Sequence, residues 1–252
     1  MQKSNSCDYY DDPEFDYRDY WVGREYEDLA ERQILRHIFS RIGKQGKFVD
    51  IGGGYGRLVE TYIPWVGEAV LVEPAGKTLE EARKIAKKLP NLRLKHGSAE
   101  SLPLKNEEFD AAQMIRVAHH CINLKLVFDE AARVLVDGGW FILEFPNKIH
   151  GLMTINNWLK GNMDYRKELN SIDRRAVFNQ SDEVIPFMNH HPDKILESLE
   201  EAGFTVVKCW SVSNLRRVNF LSVGLRLVID KWLWGLARPV WWGPSIFVLA
   251  QK

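Results

Sequence analysis

The strongest chemical signal in the sequence is a glycine-rich stretch that follows an acid. Residues 49–56 read Val-Asp-Ile-Gly-Gly-Gly-Tyr-Gly, so Asp50 stands two residues before the first glycine. Glycine lets a backbone turn tightly and lets a ligand approach the main chain. A carboxylate beside such a loop is badly placed to hold phosphate and well placed to attract an ammonium or sulfonium group. The stretch therefore predicts a loop that binds a positively charged ligand.

A second acid narrows the class of ligand. Glu73 lies 21 residues after Gly52, at the end of the next predicted strand, where a carboxylate can accept hydrogen bonds from both hydroxyls of a ribose. Arg57 stands where the dinucleotide fingerprint has glycine or alanine, and the loop lacks the Gly-Lys-Ser/Thr of a P-loop. A positively charged nucleoside without phosphate is the best match, and S-adenosylmethionine is such a molecule.

Periodicity places these acids on an alternating series of strands and helices. The predicted strands are 47–51, 69–72, 92–94, 109–115, 140–145, 204–212 and 245–250. The predicted helices are 21–42, about 78–88, 123–136, 153–159, 192–202 and 216–237. We expect the helix over 123–136 to stop at Asp137-Gly138-Gly139, where glycine permits the positive φ of a helix end.

This alternation predicts an α/β fold with a doubly wound parallel sheet and helices on both faces. Ligands bind at the carboxyl ends of such strands, so the glycine-rich loop, Glu73 and the segments after Leu94 and Ile115 should converge. Residues 1–20 predict an irregular N-terminal arm, either a solvated tail or a flap over a ligand. Residues 21–252 predict a single domain, with an insertion at about 148–190 that is either a lid over the substrate or surface padding.

Composition excludes several other classes of protein. The 252 residues include 34 basic and 34 acidic side chains, and 45% are apolar, which excludes a disordered, collagen-like or coiled-coil chain. The balanced charge argues against broad nucleic-acid binding. Three widely spaced cysteines form neither a disulfide framework nor a zinc pattern, so we expect a cytoplasmic protein without a metal. We expect no signal peptide and no transmembrane segment, because the longest charge-free run, 239–251, is short of about 20 residues.

An ordered set of motifs resembles the class I S-adenosylmethionine-dependent methyltransferases, especially the small-molecule kind of types 11 and 25. The motifs are VDIGGGYGRL (49–58), LVEPAG (71–76), HGSAESLPLKNEEFDAAQ (96–113), MIRVAHHC (114–121), EAARVLVDGGWFILEFPN (130–147), HHPDKILESLEEAGF (190–204) and GPSIFVLAQK (243–252). The resemblance implies a Rossmann-like sheet of seven mostly parallel strands with the last strand antiparallel, and an N-terminal helical cap.

The resemblance also implies roles for residues that match the motifs. Gly52 and Gly54 would line the methionine part of the cofactor, and Asp50 would orient its amino group. Glu73 would hold the ribose, and Pro74 would lie against the adenine.

Further cofactor contacts follow from the later motifs. Ser98 stands where the family usually has Asp and can still hydrogen-bond the adenine amino group, while the Ala99 backbone is a second adenine contact. The carbonyl of Arg116 would accept from the methionine ammonium. Tyr20 and Arg24 match positions that close over the cofactor, and Arg24 would pair with its carboxylate; a surface charge is the alternative for Arg24.

The sequence says less about catalysis and the acceptor. Methyl transfer is an in-line displacement that needs no fixed triad, because much of the rate comes from positioning and desolvation. His119 and His120 are candidate general bases, with helix capping and packing as the alternative. His190 and His191 either line the acceptor site or support the structure.

The C-terminal segment is rich in tryptophan, with Trp232, Trp234, Trp241 and Trp242 close together. It predicts either an apolar surface for lipid or a partner, or a helix packed on the last strands with a homodimer contact.

Four functions remain at this point. The first is a methyltransferase that yields S-adenosylhomocysteine and acts on a small molecule. The second is a non-catalytic cofactor-binding module, which the departure at Ser98 favours slightly. The third is a methyltransferase of RNA or protein. The fourth, a nicotinamide oxidoreductase, is disfavoured by Arg57.

Overall fold

The computed structural model describes residues 16–175, 186–238 and 240–252. Its main sheet is built from seven strands, and two short strands in the insertion pair separately. In chain order the strands are β1 Gln45–Ile51, β2 Val66–Glu73, β3 Leu92–His96, β4 Phe109–Met114, β5 Leu135–Pro146, β6 Ile172–Asp173, β7 Met188–Asn189, β8 Thr205–Val212 and β9 Ser245–Gln251. The helices are α1 Glu25–Ile42, α2 Val59–Tyr62, α3 Gly76–Ala86, α4 Leu124–Val134, α5 Gly151–Leu159, α6 Pro192–Glu201 and α7 Val223–Leu233.

The order of the main sheet is β3-β2-β1-β4-β5-β9-β8. Pairing is parallel from β3 to β5, and β9 runs antiparallel to both β5 and β8. The chain therefore winds outward from β1 in one direction and then from β4 in the other, which leaves a switch point between these two strands. The prediction of a doubly wound, mostly parallel seven-stranded sheet with its last strand antiparallel is confirmed.

Alternating side chains in the central strands supply two apolar cores, one on each face of the sheet. In β1, Val49 and Ile51 join one cluster, whereas Phe48 joins the other. This is the period of two that a strand imposes on its side chains. Because both faces are covered, the ladder at the centre of the sheet is rigid, and only the ends of its strands are open to ligands.

Two predicted helix boundaries are wrong. The first helix begins at Glu25 and not at Trp21, because Asp19–Trp21 forms a separate 3-10 turn and Gly23 then adopts a φ of +75°. Helix α4 ends at Val134, before Asp137-Gly138-Gly139. The chain enters β5 directly because Leu135 pairs with β4, and the glycines lie in an irregular part of that strand.

The last helical segment is also shorter than its pattern suggests. Helix α7 begins at Val223, where the hydroxyl of Ser222 accepts from the amide of Leu225, and a 3-10 turn follows at Trp234–Leu236. The chain between β8 and Ser222 forms turns instead of helix. These turns bring Asn214, Arg216 and Arg217 beside the start of α5.

The insertion carries α5 and the hairpin of β6 and β7. Residues 176–185 of the predicted insertion, and residues 1–15 of the predicted arm, lie outside the described residues. Across the described ranges, no helix combines the length and the apolar character needed to cross a membrane.

Candidate functional site

The carboxyl ends of β1, β2 and β4 open onto one cavity of about 120 Å³. The segments that were expected to converge meet at this cavity, together with one residue that precedes α1. Its lining is Tyr17, Asp50, Gly52, Gly53, Gly54, Tyr55, Arg57, Leu58, Glu73, Pro74, Thr78, Ser98, Ala99, Glu100, Ile115, Arg116, Val117, His120 and Cys121.

The glycine-rich loop is held close to its neighbours by main-chain hydrogen bonds. The amides of Gly52 and Gly53 donate to the carbonyl of Val72, at 2.8 and 3.2 Å. Gly52 has a φ of +70°, and a Cβ there would lie 2.4 Å from the Val117 side chain. Only glycine satisfies both the backbone conformation and the space, so the loop stays thin where it meets the cavity.

Glu73 organises the loop after β1 as well as lining the cavity. Its carboxylate accepts from the amides of Gly54 and Ala75, at 2.9 and 3.0 Å, and from the hydroxyl of Thr78 at 3.3 Å. Burial raises the pKa of Glu73, and the two amide donors oppose that shift. The side chain is thus locked at the end of β2 with its oxygens at the cavity wall.

Asp50 lies on the floor of the same cavity and is 3% exposed. The side-chain amide of Gln113 donates to its Oδ1 at 2.9 Å. Among the described residues Asp50 makes no ion pair. Burial raises its pKa to about 6, against which the Gln113 hydrogen bond and the more distant charge of Arg57 act. A buried carboxylate with amide support and no counter-ion is suited to a cationic ligand.

The segment after β3 forms the wall nearest to Pro74. Ser98, Ala99 and Glu100 line the cavity there, and Ser98 pairs with Ser101 in an isolated bridge. The amide of Ser101 donates to the carbonyl of Ser98 at 3.3 Å. Two small residues, Ser98 and Ala99, therefore form part of this wall.

Arg116 adopts a left-handed backbone, with a φ of +60°. This conformation is costly for a residue with a Cβ. Its amide donates to Glu144 at 2.9 Å, and its guanidinium donates to Glu31 at 2.6 Å and to the hydroxyl of Tyr20 at 2.8 Å. The chain therefore stabilises a strained backbone at the end of β4, where functional strain is often found.

Sequence reasoning missed the group of charges that holds α1 against this loop, which we call the cap cluster: Asp28, Glu31, Arg57 and Arg116. Glu31 is fully buried and also contacts Arg57 at 2.5 Å. Arg57 contacts Asp28 as well, and its guanidinium carbon lies 3.8 Å from the centre of the Trp21 ring. The Arg57 side chain thus turns toward α1 and does not wedge between helix and strand.

Tyr20 and Arg24 lie outside the cavity lining, above the cap cluster. Arg24 donates to the Tyr20 hydroxyl at 3.0 Å, and its guanidinium carbon lies 4.0 Å from the centre of that ring. Tyr17, which falls in the predicted arm, lines the cavity and stacks on Tyr20 at 5.7 Å. The described end of the arm therefore covers the site, and Tyr20 reaches it through Arg116.

The rings of His119 and His120 lie against each other, with centres 3.9 Å apart and planes tilted by 54°, and only His120 lines the cavity. The His120 Nδ1 lies 2.9 Å from the Pro186 carbonyl. A carbonyl only accepts, so Nδ1 carries the hydrogen and Nε2 is the basic nitrogen. Burial lowers the pKa of His120 to about 4, so the ring is neutral near pH 7. His119 is buried against Phe187.

His190 and His191 support the insertion from two sides. The His190 Nε2 donates to the Ala118 carbonyl at 3.0 Å, and the Ser171 hydroxyl lies 2.8 Å from its Nδ1. His191 accepts the amide of Asp193 as the cap of α6 and donates to the Arg166 carbonyl at 2.9 Å. Neither lines the cavity, although His190 ties the insertion to the loop that carries His120.

The tryptophan-rich segment is divided between core and surface. Trp234 and Trp241 are buried, and Trp234 packs 5.1 Å from the ring of His37 on α1. Trp232 is 85% exposed. Most of the segment therefore packs against the domain. Within the described ranges, no group of three metal-ligating side chains is placed to hold a metal ion.

Comparison with known proteins places these features in a family context. Residues 49–143 match a family model described as "Methyltransferase domain". The chain is 33% identical over 129 residues to an uncharacterised methyltransferase, YcgJ, of Bacillus subtilis, which is 50% of this chain and 49% of that protein. The chain therefore aligns with about half the length of this relative.

Solved structures agree on the fold at lower identity. An S-adenosylmethionine-dependent methyltransferase from Mesorhizobium loti superposes with a TM-score of 0.63 at 17% identity, covering 88% of this chain and 98% of that one. The [4+2]-cyclase SpnF superposes with a TM-score of 0.60 at 16% identity, covering 89% and 82%. At these identities the likeness concerns the fold.

Proposed function

From the premise that residues 49–143 form a methyltransferase domain within the fold of the class I S-adenosylmethionine-dependent methyltransferases, we propose that this protein transfers a methyl group from S-adenosylmethionine to a small-molecule acceptor. One observation carries the proposal. Asp50 and Glu73, from neighbouring strands, line one cavity on either side of a glycine-rich loop. Two buried acids without a counter-ion among the described residues suit a cationic nucleoside and repel a diphosphate.

The donor set fits S-adenosylmethionine. Asp50 would attract its ammonium group, and Glu73 would accept from the ribose hydroxyls while keeping its bonds to the Gly54 and Ala75 amides. Pro74, Ser98 and Ala99 would face the adenine, and the Arg116 carbonyl would accept from the ammonium group. When bound, this cofactor supplies a methyl group on a positively charged sulfur, which is already a good leaving group.

The chain's own residues would align the acceptor and exclude water. Tyr17 and Tyr55 close the cavity beside the glycine-rich loop, and His120 lies on the wall formed after β4. As the acceptor atom bonds to the methyl carbon and the carbon–sulfur bond breaks, any proton lost by the acceptor would pass to His120 Nε2 or to water. Because the pKa of His120 is about 4, the ring serves acceptors that are themselves weak bases.

A small-molecule acceptor is supported by the enclosure of the site. Tyr17 of the arm and the loop after β4 line the cavity, and the insertion contacts that loop through His190, which leaves little room for a macromolecular chain. A catalytic role is proposed over a non-catalytic module because His120 reaches the cavity. The cyclase SpnF shares the fold. The test therefore also has to detect a protein that binds the cofactor without transferring a methyl group.

Three further expectations join the proposal. We place the protein in the cytoplasm because Cys121 and Cys209 are free and buried thiols. We assign the insertion at about 148–190 to the acceptor side, because His190 contacts the loop that carries His120. A homodimer through the tryptophan-rich segment stays a prediction, which the exposed Trp232 allows.

Calorimetric titration with S-adenosylmethionine and S-adenosylhomocysteine tests the cofactor. We expect micromolar binding of both, and Glu73→Ala should weaken it by about tenfold or more, since a lost hydrogen bond to a buried acid costs about 1–3 kcal/mol. Glu60→Ala, which removes an exposed acid of α2, is the matched control. Absence of binding in the unaltered protein would defeat the proposal.

Transfer of a radiolabelled methyl group tests the acceptor class. Incubation with a cell extract separated into metabolites, RNA and protein should label the metabolite fraction and leave the other two unlabelled. Label in RNA or protein would overturn the small-molecule proposal and retain the methyltransferase. Cofactor binding without label in any fraction would favour the non-catalytic module.

A further inference from the structure

A second cavity lies beside the start of α5 and combines basic and polar side chains with the apolar Leu152, Trp242 and Pro244. It has a volume of about 20 Å³, and its walls include His150, Asn214, Arg216 and Arg217. A space of about 10–15 Å³ holds one water molecule. The cavity therefore has room for one oxygen-bearing group, with more space toward its open side.

Three arginines gather around this cavity from two segments that are distant in sequence. Arg174 comes from the insertion, and Arg216 and Arg217 come from the turns after β8. Burial is the largest cause that lowers the pKa of His150, and the charges of these three residues lower it further, to about 4. We call Arg174, Arg216 and Arg217 the basic cluster.

The basic cluster lacks a directly bound counter-ion, and Glu27 acts on Arg216 only at longer range. Among the described residues, none of its three guanidinium groups makes an ion pair or a side-chain hydrogen bond. His150 is 8% exposed, and no group in the described ranges hydrogen-bonds to its ring nitrogens. The three arginine side chains are exposed, and together with the neutral His150 ring at the cavity they offer an anion both positive charge and hydrogen-bond donors.

The position of the cluster relates it to the proposed acceptor side. Pro244 lines this cavity, and its neighbour Ser245 donates to Glu144 at 2.6 Å. Glu144 also accepts from the Arg116 amide at 2.9 Å. Arg116 lines the main cavity, and Tyr20 hydrogen-bonds to it. The basic cluster therefore lies on the Arg116 side of the main cavity, close to the groups of the insertion.

We propose that the His150 cavity and the basic cluster bind a carboxylate or phosphate group, and that this group is the acidic part of the methyl acceptor. The assignment of the anion to the methyl acceptor rests on the proposed function. The anion site itself rests on His150 and the three arginines. Guanidinium groups bind both anions through paired, charge-assisted hydrogen bonds. The acceptor is then a small acid whose reacting atom reaches the main cavity.

Titration with inorganic phosphate and with acetate, followed by amide NMR of the full chain saturated with S-adenosylhomocysteine, tests the site. Sodium chloride keeps the ionic strength constant. We expect saturable shifts at residues 150–152 and 214–217 with at least one anion. The double variant Arg216→Gln/Arg217→Gln should weaken binding by about tenfold or more. Arg93→Gln, on the opposite edge of the sheet at β3, should leave it unchanged.

The outcomes separate this inference from the proposed function. No saturable shift with either anion, or equal binding by the double variant, would overturn the anion site while S-adenosylhomocysteine still binds. Co-sedimentation with vesicles of phosphatidylglycerol, without any response to phosphate or acetate, would also overturn it in favour of a membrane contact. If the unaltered protein does not bind S-adenosylhomocysteine, the proposed function is defeated and the anion site is not.

Discussion

Two groups of arginines lie near Tyr20, and they differ in whether they form ion pairs. In the cap cluster, Arg57 and Arg116 share the fully buried Glu31. In the basic cluster, Arg174, Arg216 and Arg217 have no counter-ion among the residues that the structure describes. The first group fastens α1 to the loops after β1 and β4, whereas the second faces a cavity.

The same division applies to the acids. Glu31 sits between two guanidinium groups, while Asp50, almost as deeply buried, has an amide for a partner. Burial of a charge costs free energy unless an opposite charge offsets it. The paired charges hold the cap in place, and we infer that the others, Asp50 and the basic cluster, bind ligands of opposite sign.

Removal of Glu31 should give the largest effect on stability. Glu31→Ala leaves Arg57 and Arg116 without their shared counter-charge, and breaking a buried ion pair costs about 3–5 kcal/mol. Denaturant unfolding measures the loss. Glu60→Ala, at an exposed position, should change the free energy of unfolding by less than about 0.5 kcal/mol. A loss below about 1 kcal/mol for Glu31→Ala would contradict the inference that the paired charges hold the cap in place.

Asp50→Asn should produce a smaller effect that depends on pH. The pKa of Asp50 is about 6 in the folded chain against 3.8 for an ordinary aspartate. Below pH 3.8 the group is protonated in both states, and above pH 6 it is charged in both. The burial cost of its charge therefore appears between pH 4 and pH 6 and lowers stability by about 3 kcal/mol at neutral pH.

Asparagine carries no such cost, so the variant should gain stability over the unaltered protein as the pH rises from 4 to 6. The difference between the two unfolding curves isolates Asp50, because the buried histidines titrate in both proteins. A difference that is constant with pH would show that Asp50 has a counter-charge after all. The variant should also bind S-adenosylmethionine more weakly.

Two substitutions at Arg116 separate its backbone from its guanidinium group. Both Arg116→Gly and Arg116→Ala remove the ion pair with Glu31, but glycine adopts the φ of +60° without strain. The glycine variant should therefore be more stable than the alanine variant by about 1 kcal/mol. At Arg36, an exposed position in α1, the same pair should show the opposite order, since glycine weakens a helix.

The smallest effect on stability is expected at the basic cluster. Arg216→Gln/Arg217→Gln removes charges that repel each other and have no partner, so the free energy of unfolding should change by less than about 0.5 kcal/mol. Thermal unfolding at low and high salt checks this, with Arg57→Gln as the contrasting variant. A large loss of stability would mean that the basic cluster stabilises the fold, as the cap cluster does.

Local patterns made part of the site predictable. Asp50, Glu73 and the glycines follow predicted strands directly, and strand ends converge in any parallel sheet. The roles of His190 and His191 could not be read in this way, because their partners, the carbonyls of Ala118 and Arg166, are main-chain groups distant in sequence. Glu31 was missed because an acid on an amphipathic helix is usually exposed.

Short-range patterns in the sequence were enough to predict the order of strands and helices, the thin loop after β1 and the two acids beside it, because each depends on residues close together in the chain. Tertiary structure alone decided which charges are neutralised. Glu31 contacts Arg116 across 85 positions of sequence, and Arg174 and Arg216 come near His150 only in the folded chain. Burial and pairing depend on distances in space, and spacing along a chain does not encode them.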